Sequence, residues 1–493
     1  MTQSFLSVLS SALQKRRHLV SVAIYGAANM LPQLTAAILA IAYTYTFSPK
    51  WYGVYGVLTA LMAILGNFAD LSLPQAILRN YYDRHDDAPE ARRYLASVLF
   101  GSRLLSLLVL PAIGAILYLF WRTVGVGLPI YIFFLLAIAF FDRASAMLGT
   151  ICRAMEKPLF YSAGVIAYSA ATLGGAFVLV YLCHFGIVGA LLAALAGRIA
   201  SWLAYFVVVR RKLGVGHGGF DWPELRACLA FGLPLLVNRV ANWGRQLALR
   251  PVLVQLVPLQ AVGMFSFASS LASIPAALST AVDLALSPIY FKRRVTGSPE
   301  FRQKLLQFGT VFSGVMFAVW VVAIVASPWA VGLVARSKYA HAAPACAILL
   351  CAAYVRIHFP FFARQVQFLR VTWLIPSVTV PCAVLSVTMT ILLAGTMGIM
   401  AAAWAALTAD LVLLIALAVA ISLYEQLDYP IVIVTLLVAL LLALSIWVAQ
   451  GEPVPAQWSR LAVGGVLSLT AILAVLVTIV WPNRALIQDL AGG

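Results

Sequence analysis

The chain has 493 residues, 63% of them hydrophobic and only 10% charged, with a formal net charge of +17. So little polar material cannot cover a water-soluble protein of this length, whereas a protein bathed in lipid needs far less. In a soluble chain such a basic balance would suggest nucleic acid; here the charges sit where they orient a membrane protein, and no nucleic-acid partner is expected.

Residues 1–18 read as a cytoplasmic amphipathic N-terminus, with Phe5, Leu6, Leu9 and Leu13 set among serines as in a short helix lying on the inner membrane surface. The apolar run after Lys15-Arg16-Arg17-His18 reaches Phe47, far longer than a signal-peptide core, so a cleavable leader is not expected. Apolar stretches long enough to cross a bilayer lie at roughly 19–47, 53–78, 95–119, 129–149, 159–182, 186–209, 231–256, 263–288, 306–328, 343–363, 371–394, 399–422, 430–450 and 461–482. The expected fold is therefore an all-α polytopic membrane protein of about 14 transmembrane helices, because lipid leaves the backbone no other way to satisfy its hydrogen bonds.

Orientation comes from the basic residues. With the N-terminus inside, most of them, including Lys15–Arg17, Arg92-Arg93, Arg210–Lys212 and Lys292–Arg294, fall on the cytoplasmic side. Only Lys50, Arg122, Arg336, Lys338 and Arg460 fall outside. Both termini are expected in the cytoplasm.

The inner segment 210–230, rich in glycine, divides the chain into an N-lobe at 19–209 and a C-lobe at 231–422, with 423–493 holding the last two spans and the C-terminus. The lobes repeat. Gly186-Ile187-Val188-Gly189-Ala190 aligns with Gly398-Ile399-Met400-Ala401-Ala402. Tyr52-Gly53-Val54-Tyr55 resembles Val262-Gly263-Met264-Phe265, and Asp70-Leu71-Ser72-Leu73-Pro74 matches Asp283 through Pro288 after a short slip. Six spans per repeat predict two six-helix lobes related by a pseudo-two-fold along the membrane normal, an arrangement that flanks a midplane site and rocks around it.

The seventh span concentrates the chemistry. Intramembrane charge is costly and marks function by default. Arg239, Asn242, Gln246 and Arg250 fall on one stripe if the span is wound as a straight helix. The stripe would cover roughly 16 Å of depth, with Arg245 between these residues in height but off the stripe. Guanidinium groups bind phosphate through a planar fork, so the ladder suits a pyrophosphate or an acidic sugar; pairing with acids elsewhere and snorkelling are the bland alternatives.

Other intramembrane polar groups remain. Asp70 and Asp283 hold matching places in the repeats and suit pairing with an arginine, capping of a helix break, or ion coupling. Arg198 and Asp410 also match and suit pairing across or within the lobes. Asp142-Arg143 reads as an orienting pair near the inner boundary. Ser21, Tyr25, Asn29 and Gln33 make a polar face on the first span, either lumen lining or contact between helices. Arg356, beside His358, is a second candidate anion contact.

Six cysteines show no CxxC pairing, so no metal or redox role is expected. There is no GxxxxGK[ST], HExxH or nucleophile elbow. No cofactor is expected, and the chain does not read as an enzyme.

Tyr52-Gly53-Val54-Tyr55 with Ala69–Ala76 and Arg79 is similar to the N-lobe signature of the polysaccharide/oligosaccharide-lipid flippases of the multidrug/oligosaccharidyl-lipid/polysaccharide exporter superfamily. Phe231-Gly232-Leu233-Pro234, Val262–Ala268 and Pro288 resemble its C-lobe signature. The resemblance implies a central cavity lined by helices one, two, seven and eight, alternating access, and a polyprenyl-diphosphate-linked oligosaccharide as cargo for exopolysaccharide or O-antigen synthesis. It also implies membrane lipid, a glycan polymerase and a chain-length regulator as partners. Many members carry an acid where this chain has Leu249-Arg250-Pro251, which makes the expected lumen more positive. Two rival readings are a cation-coupled drug or small-solute antiporter of the same fold and an integral-membrane glycan polymerase or ligase.

Overall fold

The computed structural model describes residues 2–82, 88–124, 130–211, 220–276, 299–369 and 371–450. Its regular structure is helical throughout. In the first half of the chain the helices are α1 (Thr2–Thr46), α2 (Pro49–Asp70), α3 (Leu73–Tyr82), α4 (Ala88–Val124), α5 (Ile130–Ala154), α6 (Pro158–Ala176, continued by a π-turn at Phe177–Leu182) and α7 (Gly186–Arg211). In the second half they are α8 (Trp222–Gln246), α9 (Leu249–Leu253), α10 (Leu259–Ser273), α11 (Pro299–Ala335), α12 (Ala343–Arg356), α13 (Phe359–Phe368), α14 (Leu374–Met397), α15 (Ile399–Ser422) and α16 (Ile431–Ala449).

Eleven helical stretches among the described residues are long and apolar enough to cross a membrane. They correspond to the expected spans one to six and nine to thirteen. The seventh is interrupted and charged, the eighth runs past Ala276 into residues outside the described ones, and the fourteenth lies wholly outside them. Asp283, Pro288 and the glycines of 212–219 are outside them too. The N-terminal segment is continuous with the first span: α1 is unbroken from Thr2 to Thr46.

Two compact units divide the chain, one of Met1–Leu39 and Leu61–Val237, the other of Ala40–Ala60 and Asn238–Gly493. In the first, Leu73, Ile77, Leu95, Val98, Leu148, Ile151, Tyr205 and Leu225 form a core shared by α3, α4, α5, α7 and the start of α8. Small residues let its helices approach: a Cβ on Gly197 would meet Thr172 Oγ1 at 1.9 Å, and one on Gly164 the Tyr205 ring at 2.2 Å. In lipid, such close packing takes over from the hydrophobic effect as the force between helices.

The second span does not run straight. Leu71 and Ser72 both adopt positive φ, 49° and 57°, a state costing roughly 1–2 kcal/mol per non-glycine residue. Asp70 Oδ1 accepts the Ser72 backbone N–H at 2.8 Å and holds the turn, after which Pro74 sits in the first turn of α3, where its missing N–H does no harm. A Cβ on Gly232 of α8 would lie 2.6 Å from the Leu71 carbonyl oxygen.

In the second unit α12 is the central helix, buried almost continuously from Ala345 to Val355 and packed by α10, α11, α15 and α16. The start of α2 lies on α10 along two small pairs. A Cβ on Gly53 would meet Leu259 O at 2.3 Å, one on Gly56 would meet Ser266 Oγ at 2.1 Å, and one on Gly263 would meet Pro49 O at 1.8 Å. The residues that repeat in the sequence, Gly53 and Gly263, are thus pressed against one another. Gly263→Ala is expected to destabilise the protein by about 1–3 kcal/mol, because backbone rather than a movable side chain is in the way; the thermal midpoint of the detergent-solubilised chain reads it, and an unchanged midpoint contradicts this packing.

Gly186 and Gly398, also equivalent in the repeat, open α7 and α15 with the same left-handed φ, 57° and 56°. The repeat is therefore visible in backbone conformation as well as in sequence.

Candidate functional site

The charged residues of the seventh span are held by a broken helix. Pro251 has no N–H for the Leu247 carbonyl four residues back, and its ring crowds that oxygen. The chain responds by ending α8 at Gln246, and Ala248 N–H reaches five residues back to Trp243 O at 3.0 Å before α9 resumes. This widened turn shifts the angular register of α9 against that of α8. The straight ladder expected from Arg239 to Arg250 is accordingly not formed.

The break instead builds a cavity of about 440 Å³, lined by Gln246 and Arg250, by Arg356 at the end of α12, and by Ser269, Ser270 and Ser273 of α10. Arg239 and Asn242 are not on its wall. Arg250 is 8% exposed. Its Nη1 donates to Thr59 Oγ1 at 3.1 Å and to Gly56 O at 3.4 Å, and its Nη2 donates to Ser269 Oγ at 3.3 Å. These partners are all neutral, so they fix the guanidinium without cancelling its charge.

Arg356 is fixed by an acid. Its Nε and Nη2 donate to Asp410 Oδ2 at 3.2 and 3.1 Å, while Nη1 donates to Gln246 Oε1 at 2.8 Å. The side chain nevertheless keeps 31% of its surface open. The other oxygen of Asp410 forms an ion pair with Nη1 of Arg245, and both side chains are 2% exposed. Arg245 Nη2 also donates to Asn242 Oδ1 at 3.0 Å. A single carboxylate therefore serves two guanidinium groups, and with Arg250 the cavity and its floor hold three arginines to one aspartate among the described residues.

Arg198 and Asp410 do not pair with each other. Arg198 of α7 pairs with Asp142 of α5 at 2.8 Å and lies 4.3 Å over the Tyr168 ring. In the repeat, α7 and α5 stand where α15 and α12 stand. The Arg198–Asp142 pair is thus the Asp410–Arg356 pair with its polarity reversed, each satisfied inside its own unit.

Other candidates are engaged in packing. Asn29 Oδ1 accepts from Tyr161 OH at 2.7 Å, and the rings of Tyr25 and Tyr161 lie 5.6 Å apart, so these two residues of the polar face of α1 meet α6. The side chain of Ser21 is outside the described residues. Arg143, read as an orienting residue near the inner boundary, is 2% exposed and donates to Ser102 Oγ at 2.6 Å. His358, wholly buried, joins its Nδ1 to Tyr429 OH at 2.8 Å and ties α12 to the turn before α16.

The α10 serines were missed in the sequence, although Ser266, Ser269, Ser270 and Ser273 stand at offsets 0, 3, 4 and 7 and mark one polar face. Thr59 carried no signal, since its role comes from the approach of α2 to α10.

Set beside known proteins, the fold has clear relatives. The chain is similar to a lipid II flippase, MurJ, in an inward closed conformation, with 13% identity and a TM-score of 0.68 over 94% of this chain and 99% of that one. It is also similar to an inward-facing multidrug resistance MATE family transporter of the MOP superfamily, with 16% identity and a TM-score of 0.60 over 84% and 95% of the two chains. An outward-facing MATE transporter gives 16% identity and a TM-score of 0.53 over 86% and 96%. At such identities the likeness speaks for the fold, which is that of a multi-pass membrane protein. No curated protein sequence matches the chain. A family model described as polysaccharide biosynthesis protein does match, over residues 19–293; that is more than half of the chain, which belongs to the polysaccharide biosynthesis protein family.

Proposed function

We propose that this protein is a flippase that moves a polyprenyl-diphosphate-linked oligosaccharide repeat unit from the cytoplasmic to the periplasmic leaflet of a bacterial inner membrane, supplying exopolysaccharide or O-antigen synthesis. One observation carries the reading: a cavity within the membrane-spanning bundle is walled by Arg250 and Arg356, and among the described residues Asp410, held by Arg356 and by Arg245 behind the wall, is the one carboxylate bonded to these arginines. Such excess positive charge, already fixed in direction, suits a guest with about two negative charges, as a diphosphate diester has. Gln246 and the serines of α10 add donors and acceptors that fit sugar hydroxyls or phosphate oxygens. Binding energy there, larger in one arrangement of the lobes than in the other, would drive rocking between inward-open and outward-open states.

The MATE likeness favours a second reading, export of organic cations. A cation entering this cavity would meet like charge, which costs several kcal/mol in a place shielded from water. Localising the cargo separates the readings. In cells depleted of the protein, lipid-linked repeat units should accumulate unpolymerised on the cytoplasmic face, and cationic dyes should leave at the normal rate. Single repeat units already exposed outside would instead indicate a polymerase or ligase, and slowed dye efflux an antiporter.

A further inference from the structure

We propose that Asp410 is a built-in placeholder for the cargo's anionic group, holding Arg356 while the cavity is empty and weakening the cavity's grip on the anion. This deepens the flippase reading and rests on it.

The geometry of the Arg356 fork shows how. A guanidinium has five N–H donors in one plane. Asp410 Oδ2 takes the edge formed by Nε and Nη2, and Gln246 Oε1 takes one donor of Nη1. One N–H on each terminal nitrogen is left over on a side chain that lines the cavity and is still 31% open. A phosphoryl group can therefore reach Arg356 without first displacing its partners, and it arrives next to the Asp410 carboxylate. Arg250 offers the other hold: it lines the cavity, one N–H of its Nη2 is left over, and its bonded neighbours are neutral.

Two like charges sharing one guanidinium repel each other. Asp410 does not face the cavity directly. Ala406, one turn earlier on α15, lines it, and Asp410 itself is 3% exposed. Its charge thus acts through Arg356 over a few ångströms of weakly screening protein. A transporter gains from this, because a site that holds a dianion with its full cationic strength releases it slowly, whereas an internal acid that keeps its hold on the fork lowers affinity and speeds release. The buried Arg245 keeps that acid from being an unpaired charge in either state.

A purely architectural Asp410, one that only aims Arg356, makes the opposite forecast for anion affinity, so binding decides. The full chain, purified in detergent at low salt, would be titrated calorimetrically with geranyl diphosphate as a soluble prenyl diphosphate. Asp410→Asn keeps the shape and removes the charge, and is expected to tighten binding about 10- to 30-fold. Arg245→Met with Asp410→Asn, which removes the buried pair together and so survives if the single variant does not fold, is expected to tighten it several-fold. Unchanged or weaker binding in the Asn-containing variants overturns the placeholder role while leaving the flippase reading intact. No binding by the parent protein, at concentrations where Arg250 and Arg356 should hold a diphosphate, overturns the flippase reading and this role with it.

Discussion

Replacing Arg250 and Arg356 together by alanine should reduce delivery of repeat units to the outer leaflet by about 100-fold or more. Each guanidinium has donors to spare for a phosphate oxygen, and a hydrogen bond to a charged group is worth about 1.5–3 kcal/mol. Losing two such contacts costs roughly two decades or more in occupancy. Arg250 and Arg356 are the informative pair, because Arg245 is already committed to Asp410 and lies behind the cavity wall. Lysine replacements sharpen the test. Lysine in place of Arg250 keeps the charge but cannot span Thr59, Gly56 and Ser269 at once, and lysine in place of Arg356 cannot hold Asp410 by an edge and Gln246 by a tip. Both single lysine variants should therefore keep part of the activity, and the double alanine variant almost none. The readout is surface polysaccharide in cells that lack the parent gene, normalised to the amount of each variant in the membrane. Export at the parental level by a well-expressed double alanine variant removes the cavity from the transport path.

Much of the fold could be read in the chain because a lipid environment imposes simple rules. Long apolar runs predict spans, and eleven of them stand as helices among the described residues. The repeat was legible because its landmarks, Gly53 with Gly263 and Gly186 with Gly398, are positions where close approach or a left-handed backbone admits little but glycine. Breaks were harder to place. The turn at Leu71-Ser72 uses non-glycine residues in a glycine-like conformation, and the widened turn at Leu247-Ala248 arises from a proline a few residues later. Periodicity assumes an unbroken helix, so the stripe from Arg239 to Arg250 was drawn across a discontinuity.

Partners of charged groups were the least legible part, since pairing depends on contacts distant in sequence. Asp410 finds Arg245 and Arg356, far from it along the chain, while Arg198, its counterpart in the repeat, finds Asp142. That a match in the repeat is not a contact in space is a consequence of the duplication itself: each copy inherits its own neighbours. The two pairs join the same pair of repeat-related helices with opposite polarity, the acid coming from α5 in one unit and from α15 in the other. The extra cation, Arg245, belongs to one unit alone, and the cavity lies there.

The shared carboxylate also makes a prediction about stability. Asp410→Ala should destabilise the protein by about 3–5 kcal/mol, the cost of leaving buried charge without its counter-ion, and should lower the thermal midpoint by roughly 10 °C for a unit of this size. Arg245 bears most of that cost, because it is 2% exposed, whereas Arg356 can turn to water in the cavity. Arg245→Met alone should cost much less, about 1–2 kcal/mol, since Asp410 keeps both nitrogens of Arg356 and loses one partner of two. Combining Arg245→Met with Asp410→Ala then removes the orphaned cation and should recover most of the lost stability. The resulting coupling of about 2–4 kcal/mol lies well above the few tenths expected of independent sites. Thermal melts of the four proteins in the same detergent measure it. Additive losses would mean that Arg245 and Asp410 are not partners. A double variant no more stable than Asp410→Ala would mean that Arg356, and not the buried Arg245, is the cation that cannot be left alone.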